Sequence, residues 1–223
     1  MVWCKIKTGL AVTLASWLAA CAGVGPSASP AAPAPAVAAG AVVAVPDARR
    51  VSGDPAAVRE RLLRRLKAQG FRIEQDSAAG LVVSLRADPQ RYVDCGMVTV
   101  PAGNGLAESR FPAAQAMHRY RLPLKGKLYG VTRQLELAAQ ASLQWQPVAA
   151  AQTEITLAVR YRLTRSQLAV AEGVPPIRTR DELVFAGGER AAFANAPTRC
   201  AANGRLEAEI LALAAGQSAV PAR

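Results

Sequence analysis

The side chains that could assemble nucleophilic or metal chemistry are few: four cysteines, one histidine and sixteen acids in 223 residues. A hydrolase of the Ser, His and Asp type, or of the Cys and His type, needs a base, and only His118 is available as one. It sits in an alternating run with Tyr120, Leu122 and Leu124, opposite Arg119 and Arg121, so its parity is that of a core-facing strand position. A packed core or edge histidine suits that place better than a catalytic one. Cys95, Cys200, His118 and Asp94 could converge on zinc only through the fold, because none has C-x-x-C or H-x-x-x-H spacing. Nothing singles out Asp94, Glu136 or Glu154 as a paired acid and base. Gly187-Gly188 and Gly103-x-Gly105 lack the strand-to-helix context of a phosphate loop and read as turns. The expectation is a protein that is not an enzyme and holds no cofactor or metal.

The remaining cysteine with a recognisable setting is Cys21. Lys5 and Lys7 precede a mostly apolar run from Thr8 to Ala20, closed by Leu18-Ala19-Ala20-Cys21. About thirteen residues at about 1.5 Å each reach roughly 20 Å, short of a hydrocarbon core of roughly 30 Å, so the run is too short for a transmembrane helix. Ala20-Cys21-Ala22 also fits an Ala-x-Ala site, which leaves an ordinary secretory signal cut after Ala22 as the alternative.

The Leu18 to Cys21 segment resembles the lipobox of bacterial lipoproteins. That resemblance implies a signal peptide over residues 1–20, a diacylglycerol on the Cys21 thiol, and fatty acylation such as palmitate on the freed amine. It places the chain at a membrane through its N-terminal lipid, facing the periplasm. Ala22, where enteric inner-membrane lipoproteins carry aspartate, favours the outer membrane. With Cys4 lost in the signal and Cys21 lipidated, Cys95 and Cys200 are left in an oxidising envelope, either as a disulfide bond or as two separate thiols.

The formal charge of +11 falls to +9 once Lys5 and Lys7 leave. For an exported chain the counter-charges are envelope proteins, anionic lipid or lipopolysaccharide, and not nucleic acid. Residues 21–40 are the lipidated cysteine and an Ala/Pro-rich tether with Pro26, Pro30, Pro33 and Pro35, extended and unable to bury a core.

A single periplasmic domain is expected over 41–216, with a loose tail at 217–223. Ala41 to Val45 reads as a short strand. Asp54-Pro55 starts a helix with Val58, Leu62, Leu63 and Leu66 on one face, stopped by Gly70. Phe71 to Glu74 and Leu81 to Arg86 form a hairpin, and residues 87–113 read as a long loop with a short edge strand at Val98 to Val100. Three alternating runs follow, His118 to Leu124, Leu135 to Trp145 and Ile155 to Leu163, then a strand at Glu182 to Ala186. A last helix begins near Asn203 and ends at Gly216. The expected fold class is α+β, a two-layer, mostly antiparallel sheet with the N-terminal and C-terminal helices on one face.

Two clusters, Asp88 to Gly96 and Cys200 to Glu207, together with the lipobox and tether, make the chain similar to proteobacterial envelope lipoproteins. Its element order is also similar to the helix-grip modules of the accessory C lipoprotein of the outer-membrane β-barrel assembly machinery. The implied function is a non-enzymatic interaction or assembly module of the envelope. The alternative is a helix-grip carrier for an apolar ligand such as a lipid. On the first helix, Arg61, Arg64, Arg65 and Lys67 are candidates for contact with an anionic surface, against the ordinary role of a solvated helix face.

Overall fold

In the computed structural model the described residues are 47–101, 103, 107–194, 196 and 198–217. The signal, Cys21, the tether, the strand expected at 41–45 and residues 218–223 lie outside them. The described residues belong to one compact unit, Ala39–Arg223.

The sheet is organised by two unusually long strands, β8 (Lys127–Ala149) and β9 (Gln152–Val170), paired antiparallel over almost their whole length. At about 3.3 Å per residue they extend roughly 75 and 60 Å, well beyond an ordinary strand. Each therefore has two neighbours along its free edge. On β8, residues 127–134 pair with β7 (Met117–Leu124), and residues 137–144 pair with β3 (Gly80–Ala87). On β9, residues 152–157 pair with β1 (Asp47–Ser52), and residues 160–169 pair with β10 (Ile177–Ala186). β2 (Arg72–Asp76) completes a seven-stranded sheet outside β3. One half of the hairpin thus carries β1, β2 and β3, and the other carries β7 and β10.

The first half holds the apolar core. Leu137, Ala139, Ala141 and Leu143 of β8, with Ile155, Leu157, Val159, Tyr161 and Leu163 of β9, are buried on one face at alternate positions. Two helices cover them. α1 (Pro55–Ala68) begins where the Asp54 carboxylate accepts the Ala57 N–H at 2.9 Å, with Pro55 in the first turn, and buries Val58, Leu62 and Leu66. Gly70 ends it with φ 82°, a conformation that L side chains rarely adopt. α3 (Arg205–Ala214) buries Leu206, Ile210, Leu211 and Leu213. Its N-cap is Gly204 with φ 76°, and Asn203 contributes one position earlier by accepting the Arg205 N–H at 3.1 Å.

Gly80 is required by close approach. A Cβ there would lie 2.7 Å from the Leu143 carbonyl oxygen of the neighbouring strand. Gly80→Ala should push β3 away from β8 and destabilise the chain by about 1–3 kcal/mol in urea denaturation. An unchanged midpoint would count against this packing.

The second half is covered differently. α2 (Pro89–Tyr92) leads into β4 (Val93–Asp94), which joins β11 (Arg190–Ala192) and β12 (Arg199–Ala202) in a three-stranded sheet of order β11-β12-β4. β5 (Met97–Val100) and β6 (Ser109–Pro112) form a separate antiparallel pair.

The fold class expected from the sequence is corrected by this architecture. Strands hold 59% of the described residues and helices 17%, in three antiparallel sheets, with helices that are few and short. The protein is mostly β and is not a two-layer α+β domain. Part of the reason is length, since β8 and β9 run well past the expected Leu135 to Trp145 and Ile155 to Leu163; the rest is strands too short to show alternation, because the stretch read as the 87–113 loop holds β4, β6 and the short helix α2 besides its expected edge strand, present as β5, and residues after Ala186 form β11 and β12. β10 also starts at Ile177, earlier than the expected strand at Glu182.

Candidate functional site: an arginine-floored cleft

The inward parity that builds the core continues into the second half of the sheet, but the residue types change. On β8 the inward series Leu137 and Leu135 runs on to Arg133. On β9, Leu163 is followed by Arg165 and Gln167, and on β10 the series from Phe185 and Leu183 reaches Asp181 and Thr179. Cross-strand pairing sets these side chains beside one another: His118 opposite Arg133, Arg133 opposite Gln167, Arg165 opposite Asp181, and Gln167 opposite Thr179. Arg133, Arg165, Gln167, Thr179 and Asp181 floor a cleft of about 390 Å³ walled by Phe111, Tyr120, Phe193 and the Cys95–Cys200 pair; His118 is not part of its lining. That volume lies within the usual range for small-molecule sites, roughly 300–1,000 Å³.

Arg133 is 5% exposed. Its Nη2 donates to the Ala113 carbonyl at 2.5 Å and its Nη1 to the Gln115 carbonyl at 3.3 Å. No carboxylate among the described residues pairs with it. Burial, reinforced by the positive charge of Arg165, lowers its pKa from the ordinary arginine value. Arg165 donates through Nε and Nη2 to Asp181 Oδ2 at 3.2 and 2.8 Å, and its guanidinium lies 4.5 Å from the centre of the Phe193 ring. Burial raises the pKa of Tyr120, while the charges of Arg133 and Arg165 oppose that shift.

Cys95 and Cys200 form a disulfide. The pairing of Val93 with Ala202 and Asp94 with Ala201 puts the two cysteines directly across from each other in continuing register. The bond joins the end of β4 to β12, just before α3, and both residues are buried in the cleft wall. The Asp94 carboxylate accepts the Gly96 N–H at 2.8 Å, which turns the chain from β4 into β5.

His118 is half-buried, its ring stacked on Phe111 with centroids 3.8 Å apart, and Phe111 also stacks on Tyr120 at 5.5 Å. Its Nε2 is buried without a hydrogen-bond partner. Glu136 is exposed, and Glu154 accepts from exposed Arg50 at 3.2 Å.

The four basic residues of α1 have different surroundings. Arg61 Nη2 donates to the Ser52 and Ala214 carbonyls, both at 3.1 Å, and Arg65 Nη1 donates to the Gln217 carbonyl at 2.7 Å. Both therefore satisfy backbone oxygens at or just after the end of α3. Arg64 pairs with Glu60 one turn earlier and is exposed, as is Lys67.

Sequence reasoning missed Arg133, Arg165 and Asp181. The signal was available, because extending the three alternating runs by one or two steps places a charge at a core-facing parity in each. A second polar cluster was also missed: Tyr161 donates at 2.7 Å to Glu207, a buried carboxylate of α3, and Tyr92 and Arg91 both reach Glu209.

Fold and cleft together define a mostly β domain with a disulfide-walled, arginine-floored cleft. The chain was compared with family models, curated proteins and solved structures, and none matches it.

Proposed function

We propose that the chain is a lipid-anchored envelope protein whose domain is a non-enzymatic interaction module, and that the arginine-floored cleft is where it holds its ligand or a partner's group. The observation that carries this reading is the chemistry of the cleft lining. Its arginines donate without transferring protons at neutral pH, its only acid among the described lining residues is tied to Arg165, and its two thiols are oxidised to a disulfide. Such a set is suited to binding and orienting a charged group. The disulfide agrees with an oxidising compartment, and the Leu18 to Cys21 segment with its proline-rich tether supports lipid attachment at Cys21 and a position on the periplasmic face of the outer membrane. No helix among the described residues is long and apolar enough to cross a membrane. The cleft floor is polar, and α1 and α3 fill the space over the apolar half of the sheet, which favours a small polar ligand over the lipid of the carrier reading.

Two experiments test this. The full chain should incorporate labelled palmitate and sediment with membranes, and Cys21→Ser should do neither; equal labelling of the two would remove the anchor from the proposal. A photo-crosslinking residue in place of Thr198, at the cleft, should give a discrete adduct in cells that the same residue in place of exposed Glu60 does not give. Identical adduct patterns from both positions would sink the cleft as the site of contact.

A further inference from the structure

The floor of the cleft carries unequal charge. Arg133 and Arg165 bring two positive charges, and Asp181 is the only acid among the described lining residues. Asp181 is already engaged by two N–H groups of Arg165. Arg133, buried and held by two carbonyl oxygens, has no ionic partner among the described residues. A guanidinium has five N–H donors. Among the described residues two of them are engaged on each arginine, which leaves up to three on each for an incoming acceptor. A desolvated cation is normally paired, and this one faces a cavity open to solvent instead of a carboxylate. The walls add a second requirement. Phe111 and Phe193 border the cleft but are buried, Phe111 stacked on His118 and Tyr120 and Phe193 covered by Arg165, so the half-buried Tyr120 supplies most of the aromatic surface; the volume of about 390 Å³ is that of a small-molecule site.

We infer that the cleft binds a small organic anion, a carboxylate or a phosphate ester, whose charged group sits against Arg133 and Arg165 and whose apolar body lies along the half-buried Tyr120. This rests on the cleft being the binding site. The anionic end completes the unmatched guanidinium, and the apolar end displaces water from the Tyr120 ring. Gln167 and Thr179, paired across the strands on the floor, border the charged end and can donate or accept at its edge.

The probes are benzoate, phenyl phosphate and the neutral benzyl alcohol, titrated by calorimetry into the full chain in non-ionic detergent. At least one of the two anions should bind about tenfold or more tightly than benzyl alcohol, as expected for hydrogen bonds to charged groups. Whichever anion is tighter separates a carboxylate from a phosphate source. Arg133→Met should weaken that anion about tenfold or more and leave benzyl alcohol unchanged. Should that variant fail to fold, Gln167→Glu is an isosteric change that adds a negative charge to the floor without removing an arginine contact, and it should likewise weaken the anion and spare the alcohol. Benzyl alcohol binding as tightly as both anions would overturn the inference while leaving the cleft as a binding site. Absence of binding by all three probes would overturn both. Anion binding unchanged in Gln167→Glu would also overturn the inference, by placing the anion elsewhere.

Discussion

Between pH 10 and pH 12 the domain should lose several kcal/mol of folding stability, an alkaline limit set chiefly by buried Tyr161 and Tyr92, to which Tyr120, its pKa also raised by burial, adds with the same sign. Tyr161 is fully buried and donates to Glu207, and burial followed by the Glu207 charge pushes its pKa far above the ordinary tyrosine value. Tyr92 is 3% exposed and donates to Glu209 at 2.8 Å; burial first, then that hydrogen bond and charge, raise its pKa to about 12. Both shifts are upward, so above pH 10 the unfolded chain releases these protons while the folded chain keeps them. Stability then falls by about 1.4 kcal/mol per pH unit for each tyrosine until its folded pKa is reached. Urea denaturation at pH 9, 10, 11 and 12 measures the slope. Tyr161→Phe should remove about half of it, at the expense of about 1–3 kcal/mol at neutral pH, because Glu207 loses a donor while still buried. Stability independent of pH over this interval would contradict the Tyr161–Glu207 and Tyr92–Glu209 contacts.

The second large effect is expected from the disulfide. Replacing Cys95 and Cys200 together by serine, or reducing the bond, should lower stability by about 2–4 kcal/mol at neutral pH. The two residues are 105 positions apart, and loop-closure entropy for a ring of that size sets an upper figure of about 4.7 kcal/mol. Much of the covering layer depends on it. β4 has two residues and β12 has four, too few for independent stability, yet they form one wall of the cleft. The measurement is the urea midpoint with and without reductant, read together with anion binding. Reduced chain should bind more weakly even where it remains folded. Equal midpoints for the oxidised and reduced chain would show that the wall is held by its packing alone.

Part of this architecture is legible in the order of the amino acids. Asp54-Pro55 and Gly70 bracket α1 because an oxygen-bearing cap, an N-terminal proline and a left-handed glycine are local requirements of a helix. The inward faces of β7, β8 and β9 can be assigned from alternation alone, since side chains of a strand point to opposite faces at a period of two. Cysteine arithmetic leaves Cys95 and Cys200 as either a disulfide or two separate thiols, and the structure holds the disulfide.

The fold class and the cleft are not legible in the same way. β4, β11 and β12 contain two to four residues each, too short for a period of two to register, and they are strands only because they pair with one another. Arg133, Arg165 and Asp181 each look like a polar residue at the end of an apolar run. Their common site depends on β9 lying between β8 and β10 in a particular register, which pairs residues 135 with 165 and 165 with 181. Arg61 and Arg65 look like solvated charge on α1, but the end of α3, far away in sequence, accepts their hydrogen bonds.

By itself, then, the sequence determined the local periods: where α1 and α3 begin and stop, which positions of the long strands face inward, the basic charge, and the segment at Leu18 to Cys21 that resembles a lipid-attachment site. Only the tertiary structure decided that the inward face of one long hairpin is a core at one end and a charged cleft at the other. Period and capping depend on neighbours a few residues apart. Whether an inward charge is buried, paired or open to a ligand depends on which distant strand lies beside it and what covers it.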